Sequence, residues 1–225
     1  REAITKIGCG FVQMYGMTES GGTIVALSPE DHLPDSDDEK AILRMRSVGK
    51  AMLGVEIKII DQQGKNVPNG EIGEIATRSV KNINEYWNLP EATKAAIDYN
   101  GWLRTGDAGY LDHDGYLYMH DRVKDMIISG GENVYPAEVE DAIYSHPHVE
   151  DVAVVGVPDE KWGEAVTAIA VLEEGAELTL ESLRDFAGES LARYKLPSQL
   201  RLVDILPRNP AGKVQKFKLK EEFDV

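Results

Sequence analysis

The chain has 225 residues, room for one large domain or two smaller ones that each bury a core. Its 39 Asp and Glu outweigh 24 Lys and Arg, a formal charge of −15, so nucleic acid and anionic membranes are repelled rather than attracted. A phosphate-bearing ligand is repelled too, and its site needs local positive charge. The stretch 193–220 supplies it, with eight basic residues and one acid, Asp204.

In chain order, the part up to residue 121 reads as β-rich. The segment 28–40 holds six acids and two prolines and reads as a solvated surface loop. Val55, Ile57 and Ile59 alternate with Glu56 and Lys58, the period of a half-buried strand, which ends in the turn Asp61-Gln62-Gln63-Gly64. A second strand is predicted over 72–77, after the turn signal Pro68-Asn69-Gly70. Tyr110-Leu111 and the residues 116–119 flank Asp112-His113-Asp114-Gly115, a hairpin signature because Asp-Gly tolerates positive φ.

From residue 122 the pattern changes to strands alternating with helices. Pro136 suits a first helical position, and Val139, Ala142 and Ile143 form an apolar stripe that stops before Pro147. The runs 152–157 and 166–172 read as strands, and the longest apolar stretches are too short to span a membrane. Thr179 is a predicted cap for a helix in which Leu180, Leu183, Ala187 and Leu191 share a face. Two domains are expected, 1–121 and a compact α+β unit over 122–225, with the boundary near Asp121 to Lys124. The single Cys9 excludes an internal disulfide and fits a reducing compartment. No charged-then-apolar leader is visible, so the expected location is the cytoplasm. The chain opens at Arg1 in what reads as mid-domain, and an upstream portion is expected.

Four segments carry candidate chemistry. Tyr15-Gly16-Met17-Thr18-Glu19 sets a small-residue turn between a ring, a hydroxyl and a carboxylate. A ring stacks on a purine, a hydroxyl donates to phosphate, and a carboxylate ligates Mg²⁺. Gly16 would let the backbone approach a ligand, although an ordinary strand-to-turn junction has the same composition. Gly101-Trp102-Leu103-Arg104-Thr105-Gly106-Asp107 ends in an acid able to accept from a ribose diol, or in a turn Asp bonding its own backbone. Asp121-Arg122-Val123-Lys124-Asp125 leads to Gly130-Gly131, either a solvated linker and a plain turn or a hinge beside a flat backbone surface. Pro207-Arg208-Asn209-Pro210-Ala211-Gly212-Lys213 is a stiff loop delivering a point charge suited to phosphate, or a surface lysine in a basic tail. The five histidines show no metal-ligand spacing, and His146 and His148 fit a helix end. Cys9 has no partner arrangement for nucleophilic chemistry.

Together these segments resemble the adenylate-forming superfamily of acyl-CoA synthetases, peptide-synthetase adenylation domains and firefly luciferase. The resemblance runs through nearly the whole chain and includes Tyr86-Trp87-Asn88-Leu89-Pro90-Glu91-Ala92-Thr93. The run from Ile128 through Ser129, Gly130, Gly131, Glu132 and Asn133 to Glu140 is similar to the acyl-CoA synthetase branch. The resemblance implies an α/β and α+β architecture, the β-rich remainder of a large AMP-binding domain followed by a small mobile lid. It implies that Tyr15 stacks on adenine, beside Gly16 and Met17, that Thr18 touches the α-phosphate and that Glu19 helps hold Mg²⁺. Asp107 would bind the ribose with Arg122 assisting, Lys124 would be the hinge, and Lys213 would bridge the carboxylate and α-phosphate. Gly131, with Gly130 and Trp162 nearby, would line the path of the pantetheine arm of coenzyme A. The implied substrates are a carboxylic acid, foremost a fatty acid, with ATP and CoA. A carrier-protein acceptor and a non-catalytic nucleotide-binding lid are the alternatives. The superfamily's Ser/Thr/Gly-rich phosphate loop is not among these residues.

Overall fold

Alternation with a period of two dominates the first half of the chain and becomes two antiparallel sheets. The computed structural model describes residues 2–32 and 37–221, and the chain divides into two compact units, Arg1–Val123 and Lys124–Val225. In the first unit, α1 (Glu2–Ile7) precedes β1 (Gln13–Met17) and β2 (Gly22–Leu27), and α2 (Glu39–Arg44) precedes the short β3 (Lys50–Ala51). These strands make a three-stranded sheet in the order β1-β2-β3. The second sheet is a meander of β4 (Val55–Ile60), β5 (Gly73–Ser79), β6 (Leu103–Leu111) and β7 (Leu117–Arg122), with α3 (Pro90–Ala96) between β5 and β6. The sheets bury one another's apolar faces: Ile24 and Val25 of β2 join Val55, Ile59, Ile75 and Leu117 in one core.

The turns follow the expected residues. Gly64 N–H donates to Asp61 O at 3.0 Å, Glu71 N–H to Pro68 O at 3.1 Å and Gly115 N–H to Asp112 O at 3.1 Å. The centre of the acidic loop expected over 28–40 lies outside the described residues, at 33–36. Its flanks are a short helical turn at Pro29–Asp31 and the start of α2, which Asp38 caps by accepting from Lys40 N–H.

The second unit is a five-stranded sheet. Its strands are β8 (Ile127–Ser129), β9 (Glu132–Val134), β10 (Val149–Asp159), β11 (Gly163–Leu172) and β12 (Gln199–Leu202), with α4 (Pro136–Tyr144), α5 (Leu180–Ala187) and α6 (Lys216–Glu221). β12 pairs parallel to β11, and the other pairings are antiparallel. Opposite faces of β10 and β11 are both covered, which is why these strands read as continuous apolar runs. Val152, Val154 and Val166 pack under α4 and α5, while Ala153, Val155 and Ile169 pack with Leu206 and Leu219 of α6. Ile143 and Leu183 are fully buried in the first of these cores, and each burial contributes about 1.5–3 kcal/mol.

Pro136 sits at the start of α4, and the Thr179 side chain accepts from Ser182 N–H while Ser182 Oγ accepts from Thr179 N–H at 3.2 Å. One expectation is corrected. α5 stops at Ala187, because Gly188 begins a run of tight turns, and Leu191 reaches the core from beyond the helix end. No helix among the described residues is long and apolar enough to cross a membrane.

Candidate active site

The site in the first unit is organised around Asp107. The carboxylate is not in a turn bonding its own backbone, as one reading of the sequence allowed. It lies inside β6, where the pairing with β5 shifts register between Glu74 and Ala76. Gly106, at φ +72°, makes this bulge possible, since a side chain is strained at that angle. Tyr15 Oη donates to Asp107 Oδ2 at 2.8 Å, and Arg122 Nη1 donates to Oδ1 at 2.6 Å. The Asp107 side chain is 14% exposed. An ionised carboxylate has about four acceptor positions, so the two oxygens keep capacity for a diol. Burial above all, together with the neighbouring Asp107 charge, pushes the Tyr15 phenol well above its ordinary range, which keeps it a donor.

Thr18 and Glu19 follow β1 in a short helical turn, Thr18–Ser20, closed by Gly21 N–H donating to Thr18 O at 3.0 Å. Ser20, fully buried, anchors it by accepting from Met17 N–H and donating to Gly22 O at 2.8 Å. Thr18 is exposed and Glu19 half-buried. Gly16 is required by a neighbour within the chain: a Cβ there would lie 2.0 Å from Gly22 O of β2.

Tyr86 lies within a segment typical of the superfamily, yet its role is not legible in the sequence. Tyr86 Oη donates to Glu19 Oε1 at 3.2 Å, and Ile83 N–H donates to Glu19 O at 2.8 Å. Asn88, at φ +54°, turns the chain so that Tyr86 N–H reaches Thr93 Oγ1 at 2.9 Å. Glu74 was also missed. It accepts from Gly106 N–H and from Arg104, next to Asp107 in the fold but 33 positions away in sequence (107 − 74).

In the second unit Gly130 and Gly131 connect β8 to β9, both at positive φ (60° and 87°), as a two-residue hairpin turn demands. Gly130 N–H donates to Trp162 O at 2.8 Å, and a Cβ at Gly130 would meet the Trp162 ring at 2.9 Å. Beside this turn opens a cleft of about 530 Å³ lined by Ser129, Trp162, Arg184, Arg193, Tyr194 and Leu196. Lys124, exposed, is the first residue of this unit.

Lys213 ends a loop held from within. Asn209 Oδ1 accepts from Ala211 N–H at 3.0 Å and Lys213 N–H at 2.9 Å, and Arg208 Nη1 donates to Gly212 O at 2.6 Å. The Lys213 ammonium is exposed and has no ion-pair partner among the described residues. Its basic surroundings are less positive than the sequence implied. Lys195 pairs with Glu138 at 2.6 Å, Arg208 with Asp151 at 2.5 Å and Lys216 with Glu140 at 2.7 Å.

The family description "AMP-binding enzyme" matches residues 1–87, and "AMP-binding enzyme C-terminal domain" matches 138–213. The chain belongs to the adenylate-forming, AMP-binding enzyme family. It is 45% identical over 226 residues to the long-chain-fatty-acid–CoA ligase FadD13 of Mycobacterium tuberculosis, covering 99% of this chain and 42% of the relative. It is 41% identical over 222 residues to the fatty acid–[acyl-carrier-protein] ligase ScoC of Streptomyces coeruleorubidus, covering 99% of this chain and 41% of the relative. Among solved structures, o-succinylbenzoate CoA synthetase of Bacillus subtilis with its acyl-adenylate intermediate matches with TM-score 0.83 and 41% identity, over 97% of this chain and 43% of that one. ATP-bound MatB of Rhodopseudomonas palustris matches with TM-score 0.84 and 37% identity, over 99% and 42%. This family member thus spans about two fifths of the length of the curated relatives it matches.

Proposed function

We propose that the chain is part of an acyl-CoA synthetase that activates a carboxylic acid, foremost a fatty acid, with ATP and transfers the acyl group to coenzyme A. The observation that carries this reading is the Asp107 carboxylate, held by Tyr15 and Arg122 with acceptor capacity left for a ribose diol. The Tyr15 ring is assigned to the adenine, with Gly16 and Met17 alongside, and Thr18 to the α-phosphate. Among the described residues no group of three His, Cys, Asp or Glu is placed to hold a metal. Magnesium is usually bound through one or two carboxylates completed by substrate phosphates and water. Glu19, oriented by Tyr86, fits that manner of binding.

In the first half-reaction a carboxylate oxygen of the acid attacks the α-phosphorus of ATP, the bond to the β-phosphate breaks and pyrophosphate leaves. Lys213 is assigned to the negative charge that develops there. In the second, the CoA thiolate attacks the acyl carbon and AMP leaves. Gly131, with Gly130 and Trp162, is assigned to the pantetheine arm, and the adjoining cleft, carrying Arg193 and two half-exposed rings, suits the rest of a nucleotide thiol. Lys124 is assigned as the hinge between the two steps.

The test is an acid panel with the full-length enzyme, ATP, and either CoA or a holo carrier protein. Equal yields of AMP, pyrophosphate and acyl-CoA are expected. Thioester formed only on the carrier protein, the acceptor that ScoC's name specifies, would replace CoA by the alternative, and ADP as product would overturn the reading altogether. The 225 residues alone are expected to give no ATP–pyrophosphate exchange, since they hold no Ser/Thr/Gly-rich phosphate loop. Robust exchange would contradict that.

A further inference from the structure

The bulge that carries Asp107 raises a question of support. Glu74 pairs with Ala108 and Ala76 with Arg104, so three residues, Thr105, Gly106 and Asp107, stand opposite the single Ile75. Such an insertion strips backbone groups of their ladder partners and redirects the side chains around it. Here side chains take those groups over. Thr105 Oγ1 donates to Ile75 O at 2.8 Å and accepts from Asp107 N–H at 3.1 Å. Gly106 N–H donates to Glu74 Oε1 at 3.1 Å. The other Glu74 oxygen accepts from Arg104 Nε at 2.8 Å and Nη2 at 2.7 Å, and the Glu74 side chain is only 12% exposed.

We propose that Glu74 is a positioning residue for nucleotide recognition: it latches Gly106 and thereby aims the Asp107 carboxylate at the ribose. Gly106 is the most freely rotating residue type, immediately before the group whose direction matters. A charge-assisted acceptor on its N–H removes that freedom, and Arg104 in turn holds the acceptor. The inference rests on the reading of Asp107 as the ribose ligand.

The experiment measures kcat/KM in ATP–pyrophosphate exchange by the full-length enzyme, with ATP and with 2′,3′-dideoxy-ATP. The preference for ATP is a ratio and does not depend on how much of a variant folds. D107A should abolish it. E74A should lower it about tenfold, the scale of one hydrogen bond to a charged group. E74Q, which keeps an acceptor for Gly106 N–H, should stay within about threefold of the unsubstituted enzyme. If D107A abolishes the preference while E74A leaves it intact, Glu74 is a stabilising ion pair only and the inference fails. If D107A itself keeps the preference, the ribose assignment fails, and this inference with it.

Discussion

Asp107 and Lys213 are the two charged groups on which the proposed chemistry turns, and the chain treats them in opposite ways. The Asp107 side chain is tied at both oxygens and mostly covered, on a strand whose bulge is itself latched. With Lys213 only the backbone is tied, through Asn209, and the ammonium stays exposed. A carboxylate that recognises a diol has to be aimed, because its acceptor positions are directional. An ammonium acts as a point charge and needs only to be delivered.

That contrast can be broken at its most consequential point by K213A in the full-length enzyme. Adenylation should fall by about 10²–10³-fold, as when one stabiliser of developing charge is removed. Thioester formation from supplied acyl-adenylate should be spared, and equal losses in both would sink the assignment. G131A should show the reverse split. The new side chain finds open space but sits at φ +87°, a strain of about 1–3 kcal/mol. Thioester formation should drop about tenfold with adenylation unchanged, and loss of adenylation instead would contradict the split. N209A takes the acceptor from two loop N–H groups and should slow adenylation about fivefold. N209D keeps an acceptor and should be nearly silent.

The smallest expected effect lies away from both charges. Burial, and then the charge of His148, holds the His146 imidazole below its ordinary range. The unfolded chain therefore binds the proton first as pH falls through about 6.5, and the second unit loses stability from there down to the folded-state value. H146F keeps a ring against Phe186, 4.7 Å away between centroids, and should flatten the Tm–pH curve on that acid side. A curve of unchanged slope would exclude His146 as the source.

Legibility in the sequence followed the range of the interaction. The strand at Val55–Ile60, the Asp112–Gly115 hairpin turn, Pro136 opening α4 and the Thr179 cap are decided within a few residues. The motifs that identify the family are likewise short and local. What sequence reading missed was non-local. Tyr86 meets Glu19 across 67 positions, and Glu74 meets Gly106 across 32. Leu191 enters the core from outside its helix because burial there depends on where the turns after Gly188 carry the chain. The basic stretch loses much of its positive field to Glu138, Asp151 and Glu140, acids that lie outside it in sequence.

By itself, then, the sequence determined which residue types stand at each motif, and through local propensity which turns and helices carry them. Only the tertiary structure decided that Asp107 sits in a strand bulge rather than a turn. A bulge is defined by register against a partner strand, and the groups that stabilise it come from that partner.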